Sequence, residues 1–90
     1  MKVRFFATFR DITRRKEEEV PAPDDVWELL NQLCERYGGF REKLISVDGK
    51  EIHAETIILV NGRNICHLSG RGTRLTEYDV VSLFPVVAGG

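Results

Sequence analysis

Cysteine is scarce in this sequence: Cys34 and Cys66 are the only two in 90 residues. Two thiols cannot supply a four-cysteine zinc or iron–sulfur centre. An excess of either charge is missing as well. Thirteen Lys and Arg against fourteen Asp and Glu leave a formal net charge of −1, which gives no broad basic field and argues against nucleic acid as the main partner. No apolar run approaches the ~20 residues of a membrane span. The start, Met1-Lys2-Val3-Arg4, has no long apolar segment of the secretory kind. The expected address is therefore the cytoplasm, with no membrane partner. What is present, 42% hydrophobic and 30% charged residues, is the composition of a soluble globular chain. Ninety residues suffice for one small domain with one modest core.

Along the chain, Lys2 to Phe9 alternates. Val3, Phe5, Ala7 and Phe9 share one side, and Lys2, Arg4, Phe6 and Thr8 the other, which predicts a half-buried strand. Asp11 to Arg14 reads as a loop, and Arg15 to Val20 as a second strand. The run Glu17-Glu18-Glu19 is expected to keep that strand solvated rather than to hold a metal. Pro21-Ala22-Pro23 closes it. A helix follows, capped by Asp24 or Asp25, with Val26, Leu29, Leu30, Leu33, Cys34 and Tyr37 at helical spacing and Gly38-Gly39 to stop it. Cys34 falls in that stripe and reads as core; Trp27 at its edge predicts partial burial.

Phe40, Leu44 and Ile45 suggest a short second helix, and Asp48-Gly49 a turn. Thr56 to Val60 is a continuous apolar run ended by Asn61-Gly62, a strand inside a sheet followed by a tight hairpin. Asn64 to Leu68 reads as a short edge strand, Ser69 to Thr73 as a loop, and Val80 to Phe84 as a buried final strand. Pairing should stop near Pro85, which has no N–H to donate. One amphipathic helix on a mixed sheet of four to five strands is an α+β roll. With the first and last strands side by side and parallel, it is a β-grasp. Residues 1–84 would form the domain and residues 85–90 an extended tail.

The tail, Pro85-Val86-Val87-Ala88-Gly89-Gly90, narrows towards its end, and fully extended it reaches about 20 Å. Alone it reads as a frayed terminus. If Val81 and Leu83 face the helix, Phe84 faces outward, and the neighbouring first strand brings Phe6 close to it. Two outward phenylalanines suit a partner-binding patch. His53, Cys66 and His67 are weak metal candidates, because adjacent residues of a strand point to opposite faces. No base stands at useful spacing from Cys66, so catalysis within the chain is not expected. Arg71 and Arg74 read as solvated loop charges.

Several motifs together resemble a known family. Phe6-Ala7-Thr8-Phe9-Arg10 is similar to the FA-x-x-R of the ubiquitin-like sulfur carriers of molybdopterin synthesis, the molybdopterin synthase small-subunit (MoaD/ThiS-like) family. Val60-Asn61-Gly62 resembles its VNG hairpin. Thr73, Leu75, Asp79, Val81, Phe84, Pro85 and Gly89-Gly90 resemble its closing pattern. Tyr78 stands where the family usually has Gly, and Val86 where a second Pro is common.

The resemblance implies a sulfur carrier rather than an enzyme. A ubiquitin-activating-type enzyme would use ATP to adenylate Gly90, and a sulfur donor would convert it to a thiocarboxylate. A larger molybdopterin synthase subunit would then receive the tail, for molybdenum or tungsten cofactor biosynthesis. Gly90 would be the reacting residue, with Val87, Ala88 and Gly89 threading and Phe6, Phe84, Pro85 and Val86 meeting the partner. No cofactor or metal bound to the chain itself is expected. Two other readings stay open: a protein modifier joined through Gly90 to lysines, and a non-reactive β-grasp interaction module.

Overall fold

A computed structural model describes residues 1–86; Val87, Ala88, Gly89 and Gly90 lie outside the described residues. The elements in order are β1 (Lys2–Phe5), α1 (Thr8–Thr13), β2 (Glu17–Glu19), α2 (Val26–Arg36), α3 (Arg41–Leu44), β3 (Thr56–Val60), β4 (Arg63–Asn64) and β5 (Val80–Pro85). Short 3-10 turns cover Ile65–His67 and Gly70–Gly72. The strands form one mixed sheet in the order β2-β1-β5-β3-β4. β1 and β5 are parallel, with Val3 beside Val81 and Phe5 beside Leu83. β5 is antiparallel to β3, with Leu83 opposite Ile58 and Val81 opposite Val60. Parallel neighbours need a long crossover, and here it contains α2. The architecture is the α+β, β-grasp roll. Among the described residues no helix is long and apolar enough to cross a membrane.

The two-residue period of the strands puts Val3, Phe5, Ile58, Val60, Val81 and Leu83 on one face, all buried. Val26, Leu29, Leu30 and Leu33 of α2 supply the other side of the core. Each such side chain, fully buried, stabilises the fold by about 1.5–3 kcal/mol. Asp25 starts α2 by accepting the Glu28 N–H at 2.9 Å, a cap that contributes about 1 kcal/mol. Glu28 reaches back to the Asp24 N–H at 3.1 Å. Phe40, at the start of α3, receives Phe5 and Phe9 edge-on at 6.0 and 5.4 Å. Cys34 and Trp27 are partly buried against this core.

Four local expectations change. β1 stops at Phe5 because Ala7 turns to φ 52; Phe9 is still buried, but from α1, which replaces the predicted loop. Glu18 is not solvated: strand alternation turns it inward, while Glu17 and Glu19 stay exposed. The strand at Asn64 is two residues long because the Asn64 side chain accepts the Cys66 N–H at 3.0 Å and starts a 3-10 turn. Cys66 and His67 therefore do not lie on opposite faces of a strand. Arg71 is more than a solvated charge. Its guanidinium lies 4.9 Å from the Trp27 ring centre and donates to the Lys50 carbonyl.

Candidate functional site

The same alternation that fills the core gives the opposite face of the sheet Lys2 and Arg4 from β1, Val80, Ser82 and Phe84 from β5, and Ile57 and Leu59 from β3. The Phe6 N–H still donates to the Leu83 carbonyl at 3.2 Å, so the residue just past β1 stays aligned with β5. Its ring consequently stacks on Phe84, with centres 4.2 Å apart and planes 12° from parallel. Ile57 stands opposite Phe84 in register. These three make an apolar strip at the end of the sheet where β5 finishes. Towards the other end the face becomes charged, and Glu17 lies 3.2 Å from Lys2 Nζ and 3.8 Å from Arg4 Nε.

β5 is paired on both sides and continues through Pro85, which lies opposite Thr56. The Val86 N–H donates to the Glu55 carbonyl at 2.8 Å. Pro85 is thus within the sheet, and the root of the tail is held at Val86. Glu55 is fixed in turn: its N–H donates to His53 Nδ1 at 3.0 Å. Thr8, Phe9, Lys43 and His53 border a cleft of about 150 Å³ with Pro85 and Val86. The sequence places Phe6, Phe84, Pro85 and Val86 in one partner-binding set, and the fold brings all four to this end of the molecule. Gly90, Gly89, Ala88 and Val87 lie outside the described residues.

The other end of β5 is fixed by a clasp that the turn reading of Asn61-Gly62 does not contain. Both residues have positive φ, 52 and 84, as a type I′ hairpin requires. The Asn61 side chain also donates to Asp79 Oδ1 at 2.8 Å and accepts the Val80 N–H at 2.9 Å. Asp79 Oδ2 accepts the Thr76 N–H at 2.7 Å. An Asn in the hairpin and an Asp before the last strand are therefore one device that sets the start of β5.

Buried charge lies away from this end. Glu18 Oε2 accepts the Tyr37 hydroxyl at 2.5 Å and lies 3.2 Å from Arg15 Nη1. Arg36 Nη1 is 2.7 Å from Oε1, an ion pair that lacks the direction of a hydrogen bond; the short distance still compensates that oxygen's charge. Burial first, and donation to Glu18 second, push the Tyr37 hydroxyl above its ordinary pKa. Glu77 is held below the usual carboxylate range by the Ala22 N–H, then by the Met1 ammonium. Burial raises the Cys34 thiol, with Arg41 opposing, so this sulfur is kept as a protonated packing group. Cys66 is exposed and free. Among the described residues no three His, Cys, Asp or Glu side chains are grouped to hold a metal.

Comparison with known proteins gives consistent matches along the whole chain. The model of the ThiS family matches residues 3–90. Small archaeal modifier protein 3 of Haloferax volcanii is 41% identical over 92 residues, covering 100% of this chain and 98% of the relative. The solution structure of small archaeal modifier protein 1 from Methanosarcina acetivorans superposes with a TM-score of 0.84 at 30% identity, covering 99% of this chain and 94% of the other. A Pyrococcus furiosus structure, provisionally described as molybdopterin converting factor subunit 1, gives 0.76 at 31% identity, covering 96% and 95%.

Proposed function

The chain belongs to the ThiS family of small ubiquitin-like carrier and modifier proteins, and on that premise we propose that Gly90 is its working group and that the chain carries sulfur as the small subunit of a molybdopterin synthase. A carboxylate is a poor acyl donor because the departing oxygen is too basic. Attack of the Gly90 carboxylate on ATP, in an adenylating partner of the ubiquitin-activating type, releases pyrophosphate and leaves an acyl adenylate. Sulfur at the sulfide level, as HS⁻ from the sulfur donor, then displaces AMP at the carbonyl carbon and leaves the thiocarboxylate. The thiocarboxylate passes to the larger synthase subunit, where the catalytic residues reside, for molybdenum or tungsten cofactor assembly in the cytoplasm. The chain itself binds no cofactor; ATP is consumed by the partner.

The observation that carries this reading is the anchoring of β5. It is paired on both edges, its start is clasped by Asn61, and Val86 is bound to Glu55. Four residues beyond Val86 span at most about 13–14 Å when extended, which suits delivery into a partner's cleft. Side-chain-free Gly89 and Gly90 let a narrow channel accept the end. Phe6, Phe84, Pro85 and Val86 border the root and meet the partner there.

A second reading is favoured by the 41% identical relative, whose name is that of a modifier protein. The same acyl adenylate would then pass to a lysine amine as an isopeptide. Intact-mass analysis of the chain purified from its own cells separates the two. An oxygen-to-sulfur mass change at Gly90 supports the carrier, and branched Gly-Gly remnants on lysines of other proteins support the modifier. An unmodified Gly90 under both assays, with no ATP-dependent activation, rejects both.

A further inference from the structure

Arg10, Arg14, Arg15 and Lys16 fall in α1 and the turn that follows it, and with Asp11 they line one open concavity of about 490 Å³. All five are exposed. Arg15 is paired with Glu18, but among the described residues Arg10, Arg14 and Lys16 take part in no ion pair. A chain of net charge −1 thus concentrates cations at one corner. That corner adjoins the root of the tail, since Thr8 and Phe9 at the start of α1 border the same cleft as Pro85 and Val86. A protein that receives Gly90 would approach from this end of the molecule, where α1 lies beside the root of the tail.

We propose that this basic cluster docks an acidic protein surface on the rim of the adenylating partner's cleft, an inference that rests on the function proposed above. A polyanion such as RNA fits less well. Asp11, exposed inside the concavity and in no ion pair among the described residues, would repel a phosphate chain running through the cluster. A bounded acidic patch can meet the three cations from beside it. Rim charges act mainly on encounter: they raise association rates by about 10–1,000-fold at low salt, and the gain falls steeply as ionic strength rises. Arg15 belongs to the fold through Glu18, so the work of docking falls on Arg10, Arg14 and Lys16.

The test compares the full chain with the triple variant Arg10→Glu, Arg14→Glu, Lys16→Glu, and with the milder triple Gln variant should the Glu variant fail to fold. Binding to the immobilised adenylating enzyme from the same organism is followed without ATP at low and high salt, and thiocarboxylate formation is read separately by intact mass. The expected result is an association rate lower by about tenfold or more at low salt, smaller for Gln, with wild type and variants converging at high salt. Equal association rates, equal salt dependence, no binding of the wild type, or tighter binding of the wild type to an RNA oligonucleotide than to the enzyme would each overturn the proposal. The two levels separate cleanly. Salt-dependent binding with no mass change at Gly90 defeats the carrier reading and leaves the docking surface standing, whereas normal thiocarboxylation with unchanged kinetics does the reverse.

Discussion

Truncating Phe84 to Ala asks whether the apolar strip is built for the domain or for its partners. A fully buried phenylalanine costs about 3–5 kcal/mol when cut back to Ala. Phe84 is half-buried, and its ring lies on the face opposite Val81 and Leu83, so the transfer contribution is roughly halved. The stack with Phe6 adds about 0.5–1.5 kcal/mol. A stability loss of about 2–4 kcal/mol is expected, below the 5–15 kcal/mol typical of small domains, and the variant stays folded. Binding should suffer as much or more: a central aromatic anchor contributes ~2 kcal/mol or more, which is about 30-fold in Kd. Urea unfolding gives the first quantity, and calorimetric titration of the folded variant with the two proposed partners, a larger synthase subunit and an adenylating enzyme, gives the second. Affinities within about threefold of wild type for both partners, under 1 kcal/mol, would refute the reasoning and return the ring to the fold. Phe6→Ala should behave similarly, and the double variant should cost less than the two singles together, because the first removes the second's stacking partner.

Asn61→Ala should lower stability by about 2–3 kcal/mol, from two lost side-chain hydrogen bonds and from the poorer tolerance of alanine for the left-handed region that Asn61 occupies. Asn61→Gly keeps the backbone conformation and should lose only the bonds, about 1–2 kcal/mol; equal losses in urea unfolding would mean that the backbone conformation contributes nothing. Glu77 has a pKa held below its ordinary value of 4.5, so the folded state favours its ionised form. Its stabilising contribution is complete above the unfolded-state pKa and disappears as pH falls through the lower folded-state value. Against Glu77→Gln, wild type should therefore lose part of its stability advantage on acidification below about pH 5, and a difference that stays constant from neutral to acid pH would contradict the assignment.

The sheet and α2 were readable in the sequence because their periods are unambiguous. Val26, Leu29, Leu30 and Leu33 cannot lie on one face of a strand, and the Thr56–Val60 run is too short for a helix of its own. α1 escaped for a physical reason. Val3, Phe5, Ala7 and Phe9 alternate perfectly, and Phe9 is buried from either conformation. No side-chain cap marks the change, which happens at Ala7. The Phe9, Ile12, Thr13 spacing was the available signal: Phe9 and Thr13 are buried and Ile12 packs on the core. Glu18 was obscured because its compensating partners, Tyr37 and Arg36, come from a distant helix. At the candidate site, strand parity and parallel pairing were enough to bring Phe6 to Phe84. The Asn61–Asp79 clasp and the Glu55–Val86 bond were not legible, since they join residues far apart whose side chains and turns the local pattern leaves free.

The centre of the sheet is occupied by the strand that is translated after all the others, and that order has a consequence for biosynthesis. Until Val80–Pro85 has left the ribosome, β1 has no parallel neighbour, β3 lacks its antiparallel one, and the core lacks Val81 and Leu83. Pairing of residue 2 with residue 80 is a loop closure across nearly the whole chain, the kind of contact that forms late. A chain cut short before Val80 therefore lacks the central strand on which the grasp is built.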